Sequence, residues 1–462
     1  MDRNKRLFKT TIIYFIGTFG SKLLVFFLLP LYSTYLTTEQ YGSINLVINL
    51  IPLIGPVFTL QITETIFRFL CTAKEEGKKI YISNAVFIFL TGILAFSIVY
   101  IPIAIITKFE YANLFILYFI MNYLAMFLQQ ILRGMKKNID YSITGMLQTT
   151  VQAFVNIIMI KIIYERSILL ATIIASTVVI IYALIRTNIF KYINIRLISK
   201  KTLKEMLTYS LPLIPNQISW WFNDIVGLYI LKFFIGTSAT GITSLANKFP
   251  TIIATINSIF LLAWTENSIY EYNSSDKEKY YSESLQMFTN VILLISSLIL
   301  PAVKVYFELF INVQYKEAIG LVPIMFCAMI FNALASFLGT IYTASMKTKG
   351  AFFTTAIAAV TNIILAVILV PTLNIYGYAL ANLLSYIIFY IVRIKSVNKI
   401  VHITENYREY IIPTIIFGAT AIVYYIANYK INIIYEIAIL LIILCMYFEK
   451  IITISLKLFK SK

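Results

Sequence analysis

The sequence predicts an all-α polytopic membrane protein of about fourteen spanning helices, and three observations carry that prediction. Hydrophobic residues make up 60% of the 462 and charged residues only 13%, where a soluble domain runs nearer ~25% charged. Mean hydropathy is +0.83. Apolar stretches of the ~20 residues that cross a bilayer recur along the whole chain, and no connection between them exceeds about twenty residues. So little charge cannot cover a water-facing surface. A soluble enzyme, a disordered chain and a secreted disulfide scaffold are excluded.

The expected spans lie near 11–36, 41–69, 80–106, 111–132, 141–163, 167–189, 207–235, 241–268, 285–311, 319–346, 351–370, 376–392, 411–429 and 431–449. The start MDRNKRLFKTT is basic, but the apolar stretch behind it is long and lacks a small-residue cleavage site, so it reads as a retained first span. The net charge of +17 follows the positive-inside rule and does not point to nucleic acid. With the N-terminus in the cytoplasm, 27 Lys and Arg fall in inside segments and four in outside loops, namely Lys108, Arg166, Lys316 and Lys430. A wrong span count would spoil that alternation partway along. Both termini are therefore expected inside. Cys71, Cys327 and Cys445 are far apart and odd in number, so free thiols are expected. His402 is the single histidine, too few for a His-based metal site, and no metal or other cofactor is expected.

Lys191–Lys204 is the longest purely basic connection and splits the chain into two similar halves. The second span of each half opens alike. Thr38-Glu39-Gln40-Tyr41-Gly42 with Leu46 matches Thr237-Ser238-Ala239-Thr240-Gly241 with Leu245 at an offset of 199 residues. Six spans per half is an even number, so the halves form a parallel repeat about an axis along the membrane normal. The organisation expected is an N-terminal six-helix lobe (1–190), a basic cytoplasmic linker (191–206), a C-terminal six-helix lobe (207–392), a cytoplasmic loop (393–410), and two extra helices with a basic tail (411–462). Breakers interrupt several spans: Pro52, Gly55 and Pro56 in span two, Pro212 and Pro215 opening span seven. Each reads either as a hinge or cavity-lining break or as a helix end.

Ionisable groups in hydrocarbon are costly and face a cavity or a partner. Lys161, Arg186, Lys232 and Glu436 lie near span ends, where long side chains snorkel, and Arg68 and Glu266 sit at the cytoplasmic ends of spans two and eight. Glu64 with Arg68, and Lys304 with Glu308, are four apart and can form local helix pairs. Three residues remain. Lys22 is mid-span with no acid at helical spacing. Asp224 follows Trp220-Trp221 in span seven. Lys248 lies in Ala246-Asn247-Lys248-Phe249-Pro250 of span eight. Lys22 and Lys248 suit a cationic cleft for an anionic ligand, and Asp224 either lines it or neutralises one of them. Asp224, Glu64 and Glu308 are candidates for carrying H⁺ or Na⁺. There is no P-loop, HExxH or GxSxG, and no outer loop of the size a membrane polymerase needs.

The N-terminal run Gly17-Thr18-Phe19-Gly20-Ser21-Lys22, then Leu28 to Leu36, then Glu39-Gln40-Tyr41-Gly42, resembles the opening of bacterial polysaccharide-biosynthesis flippases. These belong to the multidrug/oligosaccharidyl-lipid/polysaccharide exporter superfamily. Ile66-Phe67-Arg68-Phe69, Ala246 to Pro250 and Tyr376-Gly377-Tyr378-Ala379-Leu380-Ala381 are similar to that family too. The resemblance implies two six-helix lobes around a cavity open to one side at a time. It implies a non-enzymatic flippase of the bacterial cytoplasmic membrane, moving undecaprenyl-pyrophosphate-linked oligosaccharide from the inner to the outer leaflet. It implies basic cavity residues on spans one, two and eight, where Lys22, Arg68 and Lys248 stand. It also implies a last helix pair that shelters the lipid tail, and working partners among the membrane lipids, a polysaccharide polymerase and glycosyltransferases. The rival readings are a multidrug or cation antiporter of the same fold, which favours an acidic cavity, and a membrane-integral polymerase.

Overall fold

The computed structural model describes residues 27–345, 347–404 and 406–459. Among them every regular element is a helix, as a bilayer demands of a chain that must satisfy its own backbone groups within each segment. Nine described helices are long and apolar enough to cross a membrane. The chain forms two compact units that meet in sequence at Gly241–Ile242.

The first unit begins with helical residues 27–35 (α1), then α2 (Thr38–Asn49), α3 (Ile51–Phe58), α4 (Ile62–Thr72), α5 (Glu75–Thr107), α6 (Ala112–Gly134), α7 (Asn138–Ile163) and α8 (Arg166–Thr187). It also contains α9 (Lys200–Ser210), α10 (Leu213–Asp224) and α11 (Val226–Phe234). Thus the first helices after the basic linker pack with the first unit, and the linker itself folds as two 3₁₀ turns and α9. Aromatic stacking joins α5 to α6, with Phe96 and Phe119 centroids 3.8 Å apart and Phe89 and Phe127 4.7 Å apart. A polar ladder joins α7 to α8. Gln148 donates to Ser176 (3.3 Å), Gln152 to Thr172 (2.9 Å), and Ser167 to Asn156 Oδ1 (3.0 Å), while Asn156 donates to the Tyr32 hydroxyl (2.9 Å). The spacing of four along α7 puts these amides on one face, and in lipid they gain most by pairing with each other.

The second unit holds the end of α12 (Thr237–Asn247), then α13 (Thr251–Glu271), α14 (Lys277–Phe310), α15 (Val322–Ala344), α16 (Thr348–Val397), α17 (Ile411–Ile426) and α18 (Tyr429–Phe459). Its core is aromatic. Trp264 stacks on Phe337 at 4.6 Å and donates to Thr340 Oγ1 at 2.9 Å. The 50-residue α16 is two antiparallel arms, because Asn374 leaves the helical region at φ 53, ψ −130. Gly377 makes the tight return possible: a Cβ there would lie 2.2 Å from the Leu369 carbonyl oxygen. Asn362 then donates across the hairpin to Asn382 (2.8 Å) and Ser385 (3.1 Å). This is the expected pair of spans eleven and twelve. The last two helices pack on α14, and Tyr424 and Tyr425 donate to the carbonyls of Ile319 and Gly320.

Candidate functional site

Span two is where the breakers act. Helix α2 stops at Asn49, and Pro52 sits in the first turn of α3, where its missing N–H costs nothing. The break frees carbonyls that a continuous helix would use. The Trp221 indole of α10 donates to Asn49 O at 2.6 Å, and the Tyr229 hydroxyl of α11 donates to Leu46 O at 2.7 Å. A second break follows at Leu60 and Gln61, both left-handed (φ 52 and 54), a conformation that costs non-glycine residues about 1–3 kcal/mol each. Spans seven and eight are each broken as well, at Ile225 and at Lys248–Pro250. Span seven is thereby two short helices, α10 and α11, and span eight is α12 followed by the 21-residue α13.

The sequence repeat is the contact between its own two copies. Thr38 Oγ1 and Ser238 Oγ lie 2.6 Å apart. A Cβ on Gly42 would lie 2.2 Å from Thr237 O, and one on Gly241 1.8 Å from Thr38 O. The starts of α2 and α12 cross at backbone contact, which only glycine at both positions permits.

The predicted charges fall as follows. Lys22 lies outside the described residues. Arg68 and Glu64 stand on the exposed side of α4, opposite buried Ile62, Ile66 and Leu70. They do not form the local pair their spacing allows: Glu64 Oε1 accepts from Gln130 Nε2 at 3.2 Å, and Arg68 has no ion-pair partner among the described residues. Asp224 is the last residue of α10, at the break inside span seven, and its side chain lies outside the described part. Lys248 occupies the break between α12 and α13 and is half-buried. Its neighbours fix it there. Asn247 donates to the Tyr378 hydroxyl at 3.0 Å, and Phe249 packs on Tyr306 and Phe307. Glu308 is exposed in the last turn of α14. The expected Lys304–Glu308 pair is replaced: the Lys304 ammonium sits 5.2 Å from the Tyr424 ring centroid, since the helix supplies the spacing but α17 supplies a closer face.

Two charged clusters were not legible as such. Arg393 counted among the inside-loop cations, yet it is buried. It donates to Ala335 O, Ala351 O, Thr354 Oγ1 and Thr355 Oγ1 at 2.9–3.2 Å and stacks 4.1 Å from the Phe389 centroid. In the first unit, buried Asp140 accepts from Tyr182 (2.8 Å) and from Arg186 (2.8 and 3.3 Å). Arg186 therefore does not snorkel freely. At the start of α6, Tyr111 donates to Glu165 at 3.3 Å.

The family described as polysaccharide biosynthesis protein matches residues 7–265, more than half of the chain. The chain belongs to that family. An uncharacterized membrane protein of Methanocaldococcus jannaschii is 27% identical over 237 residues. That match spans 47% of this chain and 46% of the relative, so the chain matches less than half of the relative's length. Among solved structures, the lipid II flippase MurJ in an inward closed conformation superposes with a TM-score of 0.68 at 16% identity, covering 95% of this chain and 100% of that one. An inward-facing multidrug resistance MATE transporter of the MOP superfamily gives 0.66 at 16% identity, covering 87% and 99%. A MOP superfamily transporter of Pyrococcus furiosus gives 0.58 at 15%. At such identities the likeness shows the fold. This family member is thus a multi-pass, all-α membrane protein with the fold shared by MurJ and the MATE transporters.

Proposed function

We propose that this protein is a flippase that moves undecaprenyl-pyrophosphate-linked oligosaccharide from the inner to the outer leaflet of a bacterial cytoplasmic membrane. The observation that carries the reading is the polysaccharide biosynthesis match over residues 7–265. The fold, shared with a lipid II flippase, supports it. The sugar-pyrophosphate head enters a cavity while the polyprenyl tail stays in lipid. Lys22, Arg68 and Lys248 bind the pyrophosphate, because cations form strong charge-assisted hydrogen bonds to phosphate oxygens. Arg68, exposed and without an acid partner among the described residues, is available for that. Lys248, at a helix break, combines its charge with backbone groups that a continuous helix would have used.

No bond is made or broken, so the protein is a transporter and not an enzyme. Crossing proceeds by alternating access, with H⁺ or Na⁺ coupling through Asp224, Glu64 or Glu308. A polysaccharide polymerase and glycosyltransferases act before and after it, and both termini lie in the cytoplasm. The multidrug antiporter reading draws on the similar MATE fold, and drug sensitivity separates the two. Cells lacking the protein should accumulate lipid-linked oligosaccharide on the inner leaflet and lose surface polymer, with unchanged drug sensitivity. Changed drug sensitivity with normal polymer would establish the antiporter. An intermediate that is never assembled would make the protein an enzyme of synthesis.

A further inference from the structure

The connection after α8 is an ordered strap, held to one place on the first unit. Residues Ile189–Lys191 and Ile195–Leu197 form 3₁₀ turns, and Ser199 caps α9 by accepting from Thr202 N. Two side chains of α5 tie it down. Ser83 Oγ donates to Tyr192 O (3.1 Å) and accepts from Asn194 N (2.9 Å). Asn84 donates to Leu197 O (3.0 Å) and accepts from Ser199 N (3.1 Å).

That anchorage sets the depth of the strap. The lipid-facing series of α5 begins at Phe87 and continues through Leu90 and Leu94, all exposed apolar residues. Ser83 and Asn84 precede Phe87 by about one turn, or ~5 Å along the axis. The strap therefore lies where hydrocarbon gives way to headgroups. Its own surface fits that level. On α8, Ile181 and Ile185 are 54% and 71% exposed, and the apolar series continues into the strap with Phe190 at 72% and Ile195 at 80%. Interleaved with these are Lys191, Arg196, Lys200, Lys201 and Lys204, all exposed. There is no acid from Asn188 to Lys204. None of the five cations is in an ion pair among the described residues.

We propose that this strap is a binding surface for anionic phospholipid headgroups of the adjacent leaflet, with Phe190 and Ile195 entering the acyl boundary and the five cations holding the phosphates. Apolar side chains exposed to water on a soluble loop would be a liability, whereas at headgroup depth they contribute to binding. Clustered cations just beyond a spanning helix draw anionic lipid by about 1 kcal/mol each. The tethers to Ser83 and Asn84 keep the two features together on this strap. This proposal is independent of the cargo.

The test uses the full-length protein purified in detergent and titrated with phosphatidylglycerol or phosphatidylcholine, with bound lipid counted by native mass spectrometry. The wild type should bind phosphatidylglycerol in preference, and millimolar inorganic phosphate should not displace it. Replacing Lys191, Arg196, Lys200, Lys201 and Lys204 by Gln should weaken phosphatidylglycerol binding more than about tenfold. Removing as many exposed cations elsewhere (Lys74, Lys79, Lys136, Lys347 and Lys349 to Gln) should leave it within about twofold. The pair Phe190→Ser and Ile195→Ser, which keeps every charge, should weaken it at least about fivefold and serves if the quintuple variant fails to fold. Equal loss in the two charge variants, no loss in the apolar pair, or displacement by phosphate alone would overturn the proposal.

Discussion

A single buried cation shows how much of this protein's chemistry is set by partners and not by residue type. Arg393 is held by two backbone carbonyls and two threonine hydroxyls, with no carboxylate among its bonds. Its planar fork reaches all four acceptors, which an ammonium cannot do. Arg393→Leu should lower stability by about 3 kcal/mol, because stranded acceptors cost ~1–3 kcal/mol each. The readout is the melting temperature in detergent, and Arg393→Lys should not restore it. A lysine variant as stable as wild type would contradict this account. The span lysines divide differently. Lys248→Ala should abolish polymer export at normal protein abundance, with Lys248→Arg partly restoring it, and Lys22→Ala should match it. Lys304→Ala removes a cation–π contact with Tyr424, worth ~1 kcal/mol, and should leave export per molecule unchanged. Export assays normalised to membrane abundance distinguish the classes. Normal export by both Lys22→Ala and Lys248→Ala would remove the cationic-cavity mechanism.

Among elements, the α2–α12 crossing carries the clearest mechanical consequence. The repeat places glycine at both helix starts, and the hydroxyls of Thr38 and Ser238 touch. Under the alternating access proposed above, this contact opens in part of the cycle. In a chain whose own Cys71, Cys327 and Cys445 are changed to Ser, Thr38→Cys with Ser238→Cys should form a disulfide on oxidation, since the two hydroxyl oxygens already touch at 2.6 Å. Export should then stop and return on reduction. Export that continues with the bond fully formed would mean this crossing never parts. The all-helical class, the 199-residue repeat and a turn between residues 370 and 376 were legible in the sequence, because hydropathy and breakers act locally. The left-handed pair Leu60–Gln61 was not, since neither residue type favours that conformation and the surrounding packing imposes it. The burial of Arg393 was equally hidden: its acceptors come from α15 and from the opposite arm of its own hairpin, far away in sequence. Of the candidate site, the residue types and their places at helix breaks could be read beforehand, but whether Glu64 and Glu308 pair with their neighbours is decided by other helices.

At the scale of the whole molecule, the path of the chain fixes which ends share a side of the membrane. Between Ser275 and Asn374 run α14, α15 and the first arm of α16, an odd number of crossings. Single cysteines at Asn374 and Asn428 should react with an impermeant thiol reagent in intact cells, and ones at Asn138 and Ser275 should not. Labelling at both Ser275 and Asn374 would break the topology.

The central claim concerns cargo, and reconstitution tests it most directly. Purified protein is placed in vesicles carrying labelled undecaprenyl-pyrophosphate-linked oligosaccharide in both leaflets, and an impermeant glycosidase is added outside. The wild type should expose nearly all of the label to cleavage. Vesicles with Lys248→Ala should show only the share that began in the outer leaflet. If wild-type vesicles also stop at that share, with the protein folded and the driving ion gradients supplied, the protein does not move this lipid.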